Sequence, residues 1–258
     1  MGQFIAIVNQ KGGVGKTTTA VNLAASLAAI DKRVLIIDFD PQGNATSGVN
    51  IKKEKTAPHI YKVLAGEVPV EEAMIACELP TLFAISGHRD LAAAEVELVN
   101  EMGREYVLKN TLAPIRDRFD YIFIDCPPSL SLLTVNALTA ADGVLIPIQA
   151  EYYALEGVSD LMQTIELVKQ RLNPGLQMTG ILITMYDERT NLSQQVLGDV
   201  RSFFGERLYK TIIPRNVRLS EAPSFGKPAM LYDMRSKGAQ AYLKLAKEFL
   251  NGQKVRVG

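Results

Sequence analysis

The stretch KGGVGKTTT, Lys11–Thr19, decides how this chain reads. It lies between FIAIVN (4–9), short, apolar and rich in β-branched residues, and a segment in which Val21, Ala24 and Ala28 recur at the spacing of a helix packed on one face. Gly12, Gly13 and Gly15 carry no Cβ, so successive backbone N–H groups can turn toward one point, and a helix beginning at Lys16 adds its positive end. Lys16 is then placed to reach β and γ phosphates and the Thr17 hydroxyl to ligate Mg²⁺, with Val14 and Thr18 completing the cradle. A glycine-rich turn alone says little; strand, turn, GKT and helix in series say phosphate-binding loop. The usual spelling, G-x-x-x-x-G-K-[ST], would put a glycine at position 10. Gln10 stands there and Lys11 follows, so the loop carries one lysine more than phosphate cradling needs.

Outward from the loop, RVLIIDFD (33–40) reads as a buried strand ending in acids. Further near-continuous apolar runs follow at LFAIS (82–86), YIFIDC (121–126), GVLIPIQ (143–149) and GILIT (180–184), with a weaker one at LYKTII (208–213). Helical candidates fall at 88–112, 131–141, 154–172, 192–204 and 236–250. Strands apolar on both faces, separated by helices, predict an α/β fold: a mostly parallel central sheet flanked by helices. Residues 47–80 are less periodic and read as a small helical insertion near the mouth of the site. No internal repeat or long linker appears, so the expectation is one domain over 1–258, with no helix-turn-helix ahead of the loop.

Acids stand where a metal nucleotide would need them. Asp38 and Asp40 share one side of their strand if it persists that far, although either could merely cap the turn at Pro41 and Gly43. Asp125 ends a hydrophobic strand, the arrangement that holds Mg²⁺ through water in nucleotide hydrolases, and Pro127 and Pro128 stop that strand. Three carboxylates would repel a bare triphosphate, so they argue for Mg²⁺.

Composition narrows the class. The 258 residues are 47% hydrophobic and 22% charged, with 28 basic against 28 acidic, which argues against a binder of nucleic acid that is basic over its whole surface. Charge is nevertheless uneven: residues 54–105 hold ten acids and four bases, residues 201–258 twelve bases and four acids. MGQFIAIVNQ has no secretory pattern, Ala6 spoils a myristoylation reading of Gly2, and no run of about 18 apolar residues could span a bilayer. Cys77 and Cys126 make neither a disulfide framework nor a metal quartet, and the expected location is cytosolic. His59 and His88 read as surface or packing residues, since isolated histidines without an acid or cysteine partner make poor metal sites.

KGGVGKT resembles the deviant Walker A loop of the ParA/MinD family of partitioning and positioning ATPases. RVLIIDFDPQGNATSG and YIFIDCPPS resemble that family's two switches, and HRDLAAAEVEL (88–98), EYYALEGVSDL (151–161) and IPRN (213–216) extend the likeness over nearly the whole chain. The resemblance implies a P-loop ATPase fold with ATP and Mg²⁺ as cofactors. It implies that Lys11 crosses a dimer interface to the phosphates held by the other subunit, so that Lys11, Lys16 and Asp40 carry catalysis. Asp40 would position the attacking water, and Asp38 would support the magnesium shell of Thr17 and Asp125. ILITMYDE and IPRN match segments near the base, with Pro214 and Asn216 as candidates. YDERTNLS and IPRNVRLSEAPSFGKP resemble the chromosomal, Soj-like branch, which implies contacts from Arg189 and Arg218, assisted by Arg215, to double-stranded DNA regardless of sequence. Implied partners are a second copy of the chain, nonspecific DNA and a ParB-like centromere-binding protein, on the nucleoid. MinD relatives end in an amphipathic membrane helix. Here GAQAYLKLAKEFL sets Ala239, Tyr242, Leu243, Leu245, Ala246, Phe249 and Leu250 on a broad face suited to docking on the domain, and NGQKVRVG is short and glycine-interrupted, so no membrane contact is expected. A MinD-like positioning ATPase and a noncatalytic nucleotide-gated scaffold are the alternatives.

Overall fold

The computed structural model describes residues 2–52, 58–152 and 154–256, with no side chain described for Glu156 or for 253–256. Seven strands form one sheet: β1 (Gln3–Ile7), β2 (Val34–Asp38), β3 (Met74–Ala76), β4 (Leu82–Ile85), β5 (Tyr121–Asp125), β6 (Gly143–Gln149) and β7 (Gln177–Thr184), in the order β3-β4-β2-β5-β1-β6-β7. All neighbours pair parallel except β3, which runs antiparallel along β4 at the edge. β1 therefore lies inside the sheet between β5 and β6, and the parallel register sets Asp38 beside Asp125, and Asp125 beside Ile7, at one edge. Ligands of open α/β sheets bind at this carboxyl edge, where the strand order reverses.

Alternation along the strands divides the core in two. Phe4, Ala6, Leu35, Ile37, Ile122 and Ile124 face one layer of helices, while Ile5, Ile7, Val34, Ile36 and Phe123 face the other. The second layer contains α1 (Lys16–Ala28) and the long helix α11 (Lys237–Arg256). Ala239, Tyr242, Leu245, Ala246 and Phe249 of α11 are buried there, with Leu243 and Leu250 partly so, as the docking expectation required. Gly252 does not interrupt α11, which continues to Arg256.

Between these lie α2 (Asn44–Gly48), α3 (Ile60–Leu64), α4 (Leu91–Glu97), α5 (Val107–Leu112), α6 (Leu132–Ala140), α7 (Glu156–Arg171), α8 (Asn191–Phe204), α9 (Val217–Glu221) and α10 (Ala229–Tyr232). The 47–80 stretch, of which 53–57 lie outside the described residues, is mainly short helices as expected, but it also supplies the edge strand β3. Two readings fail. The helix expected over 88–112 is broken into α4, 3-10 turns and α5, because the chain reverses at Glu101 in extended conformation and at Gly103 with φ 71°. LYKTII is not a strand: it meets β7 at one isolated bridge, Leu208 to Ile181, and through the Tyr209 and Ile213 N–H groups, which donate to the Ile181 and Ile183 carbonyls (2.9 Å each), while the Glu248 carboxylate of α11 accepts from the backbone N–H of Lys210 (2.6 Å) and Thr211 (2.8 Å) in place of a ladder.

Candidate functional site

The glycine-rich loop leaves the carboxyl end of β1 at the centre of the sheet. Gly13 and Gly15 adopt φ 74° and 88°, the left-handed region that other residues enter at a cost, so the backbone angle is what demands glycine here. A Cβ on Gly12 or Gly13 would meet nothing within 4 Å, which leaves that side of the loop open. No side chain caps α1, so the N–H groups of its first turn point into the loop as an anion site.

Buried polar side chains fix the loop's shape. Asn9 donates through Nδ2 to the Pro147 carbonyl (2.7 Å) and accepts at Oδ1 from the Lys11 N–H (3.0 Å). The Thr184 hydroxyl reaches the Val14 carbonyl at 2.8 Å, and the Tyr242 hydroxyl of α11 lies 3.1 Å from Thr19 Oγ1. None of these four tethers carries a motif spelling; the Asn9–Lys11 contact is local, and the other three tie the loop to Pro147, Thr184 and Tyr242, which only the fold brings near.

The two lysines behave differently. Lys16 is buried, its ammonium donating to the Lys11 carbonyl at 3.1 Å. Burial holds its pKa below the ordinary lysine range, opposed by Asp125, Cys126 and Asp40. Lys11 instead turns away from the loop: its ammonium pairs with Glu151 at 2.7 Å, with 42% and 45% of the two side chains exposed. The chain's own Glu151, within the EYYALEGVSDL segment whose Tyr153 lies outside the described residues, thus neutralises the extra cation.

The acids divide as well. Asp38 Oδ2 accepts from the Thr46 N–H (2.7 Å) and hydroxyl (2.6 Å), yet burial still pushes its carboxyl up to about 6. Asp125 is fully buried and neither carboxylate oxygen has a hydrogen-bond partner; Thr17 stands near enough to favour the ion without bonding it in ordinary geometry. Burial first and Asp38 second drive Asp125 well above the usual carboxylate range. An orphaned pair of carboxylate oxygens beside a threonine hydroxyl is the donor chemistry that a hydrated Mg²⁺ satisfies, so Thr17 and Asp125 fit the ion. Asp38, already tied to Thr46, fits it less directly. β2 ends at Asp38, so strand alternation does not place Asp40; a turn does, in which the Asp40 carboxylate accepts from the Gln42 N–H at 2.9 Å.

Beside the loop opens a cleft of about 650 Å³, lined by Gly15, Thr17, Thr18, Asn22, Pro214 and Asn216 among others. Both base candidates therefore share one cavity with the phosphate loop, although Asn216 also caps α9 by accepting from the Arg218 N–H (3.1 Å). Met185 borders the cleft with φ 51°, a strained angle for a side chain of its size. Tyr186 N–H donates to the Ile213 carbonyl (3.1 Å) and Arg215 N–H to the Tyr186 carbonyl (2.9 Å), which lays the segment of Arg189 against that of Arg215 and Arg218. All three arginines are exposed; Arg189 is forked onto Asp187 (2.7 and 2.8 Å), and Arg218 meets Glu221 (2.8 Å) and Asp233 (3.4 Å).

Sheet order, loop and acids together define a P-loop nucleoside triphosphatase. Residues 2–178 match the model of a family described as an AAA domain. The chain is 56% identical over 250 residues to the chromosome partitioning protein ParA of Myxococcus xanthus, covering 97% of this chain and 88% of that protein. It is also 56% identical over 248 residues to the sporulation initiation inhibitor protein Soj of Bacillus subtilis, covering 96% and 98%. Among solved structures, cobyrinic acid a,c-diamide synthase from Mycobacterium smegmatis with bound ADP and magnesium superposes with a TM-score of 0.86 at 38% identity, over 98% of this chain and 96% of that one. The chain belongs to the ParA/Soj family of partitioning ATPases within the wider ParA/MinD group.

Proposed function

We propose that this chain is an ATP-dependent partitioning ATPase working as one P-loop domain: Mg-ATP joins two copies, the pair holds DNA without regard to sequence, and hydrolysis stimulated by a ParB-like partner releases it. The observation that carries the reading is the division of labour between the loop's lysines. Lys16 is buried over its own loop, while Lys11 faces outward in an exposed ion pair. Exposed pairs are worth about 0–1 kcal/mol, so a triphosphate presented by a second copy can draw Lys11 away from Glu151. Thr17 and Asp125 would hold Mg²⁺, with Asp38 behind them; the ion would neutralise charge on the phosphates.

Lys16 binds the phosphates, and Lys11 adds a cation as charge shifts toward the leaving oxygen, stabilising the transition state more than the ground state. Asp40, in the turn after β2, orients the attacking water; turnover stays slow until a partner improves that placement. Pro214 and Asn216 border the base. Arg189, Arg215 and Arg218 give phosphate contacts that double on pairing, which links nucleotide to DNA affinity. No helix among the described residues is long and apolar enough to cross a membrane, and the apolar face of α11 is spent on the core, which favours DNA over lipid as the surface this ATPase works on.

The test is phosphate release at multiple turnover, with and without DNA and the partner protein. Asp40→Ala should keep ATP binding and lose turnover; Lys16→Ala should lose both. Parent-level hydrolysis in either variant, or no response to DNA plus partner, would refute the assignment.

A further inference from the structure

Twenty-eight residues of sequence lie between His59 and His88, yet the fold brings them together with an acid. His59 immediately precedes α3, and His88 and Asp90 lie in the connection from β4 to α4. The Ile60 N–H donates to the Ser86 carbonyl at 3.0 Å, which pins the two segments side by side. The imidazole rings stack at 4.2 Å between centroids and 15° between planes, and the Asp90 carboxylate lies 3.0 Å from His88 Nδ1. One potential ligand atom from each residue lies within 4.8 Å of the others. The reading of both histidines as isolated is therefore wrong in space.

We propose that His59, His88 and Asp90 form a binding site for a divalent transition-metal ion of the zinc class, separate from the magnesium position at Asp125. This proposal does not depend on the ATPase reading. Two imidazoles and a carboxylate are a borderline donor set that suits zinc and its neighbours, whereas Mg²⁺ takes oxygen. Ligation at about 2.0–2.2 Å needs donors roughly 3.3–3.5 Å apart, so no pair has to close by more than about 1.5 Å. Closing the set exchanges local contacts for the ion: His88 Nδ1 faces the Asp90 carboxylate, accepts from the Asp90 N–H at 3.3 Å and sits in the ring stack, but the His88 and Asp90 side chains are 28% and 44% exposed, which leaves that contact open to a cation from solvent. His59 Nδ1 is sealed from solvent without a hydrogen-bond partner, a cost the fold carries in this arrangement. Three protein ligands leave the remaining positions to water, giving an exchangeable ion.

The site adjoins the nucleotide machinery. Gly87 donates through its N–H to Thr46 Oγ1 at 2.9 Å, and Thr46 holds Asp38. A Cβ on Gly87 would lie 2.8 Å from Asp38 Cγ, so the segment carrying His88 already packs at its closest approach to that acid. An ion joining His59 to His88 would brace the wall behind it.

The test uses the full chain, stripped with a chelator and kept in excess Mg²⁺ so that oxygen sites are filled. Zn²⁺ is titrated calorimetrically and Co²⁺ by visible absorption, with melting followed by circular dichroism. We expect one equivalent of either ion, a melting temperature raised by Zn²⁺, and affinity lowered at least tenfold in both His59→Gln and His88→Gln; Cys77→Ser should bind as the parent does. His88→Gln alters a partly exposed loop side chain and keeps the test valid if His59→Gln fails to fold. Absence of Zn²⁺ binding in excess Mg²⁺, or affinity within twofold of the parent in His88→Gln, would overturn the proposal.

Discussion

Replacing Asp125 by asparagine should make the nucleotide-free protein more stable while destroying its response to Mg-ATP. Asp125 is fully buried, its oxygens have no hydrogen-bond partner, and Asp38 sits beside it in register. A buried, uncompensated carboxylate costs several kcal/mol, part of which Lys16 and partial protonation offset. An amide of the same shape removes the charge and should recover about 2 kcal/mol. A chain of 258 residues unfolds with an entropy of about 0.5 kcal/mol per kelvin, so the midpoint should rise by about 4 °C in EDTA. With Mg-ATP at about a hundred times its dissociation constant, the parent should gain about 2.7 kcal/mol, or ~5 °C, and the variant little. Thermal unfolding by circular dichroism in both conditions measures this. A variant that melts below the parent in EDTA, or that keeps the parent's Mg-ATP shift, would show that Asp125 is satisfied some other way.

The buried Asp38 sets a pH dependence in the protein free of metal and nucleotide. Its folded carboxyl is raised to about 6, so between pH 4 and 6 the folded state retains a proton the unfolded chain has released, and stability should fall as pH rises, by up to about 3 kcal/mol. Urea unfolding at about pH 4.5 and 6.5 should show that fall in the parent and a smaller one in Asp38→Asn; identical profiles would contradict it. Arg189→Ala and Arg218→Ala should each weaken binding to random duplexes equally for all sequences, and lower the slope of log affinity against log salt by about one. A loss confined to particular sequences would argue for base contacts instead.

Much of this was legible before folding. FIAIVN, RVLIID, YIFID and GVLIPIQ are apolar on both faces, and only a parallel sheet between helices buries such runs, so six of the seven strands and the position of the loop followed. Lys16, Thr17 and Asp125 stood out as candidates because local order places them, the first two in a strand–turn–helix and the third at the end of an apolar strand. The misses share a cause. Met74–Ala76 is too short to show a period, and Gly103 breaks a segment whose composition is otherwise helical. Glu248 lies about forty residues from the backbone it satisfies, and Glu151, Tyr242, Thr184 and the His59–His88–Asp90 group act through long-range contacts that spacing along the chain does not encode.

The central claim is that ATP pairs two copies through Lys11. Sedimentation velocity with Mg-ATP, beside Mg-ADP, tests it most directly. The parent should sediment as a dimer with ATP and a monomer with ADP, and Lys11→Ala should stay monomeric with either although it still binds ATP. A parent that remains monomeric with ATP, or a Lys11→Ala protein that dimerises as the parent does, would contradict the account.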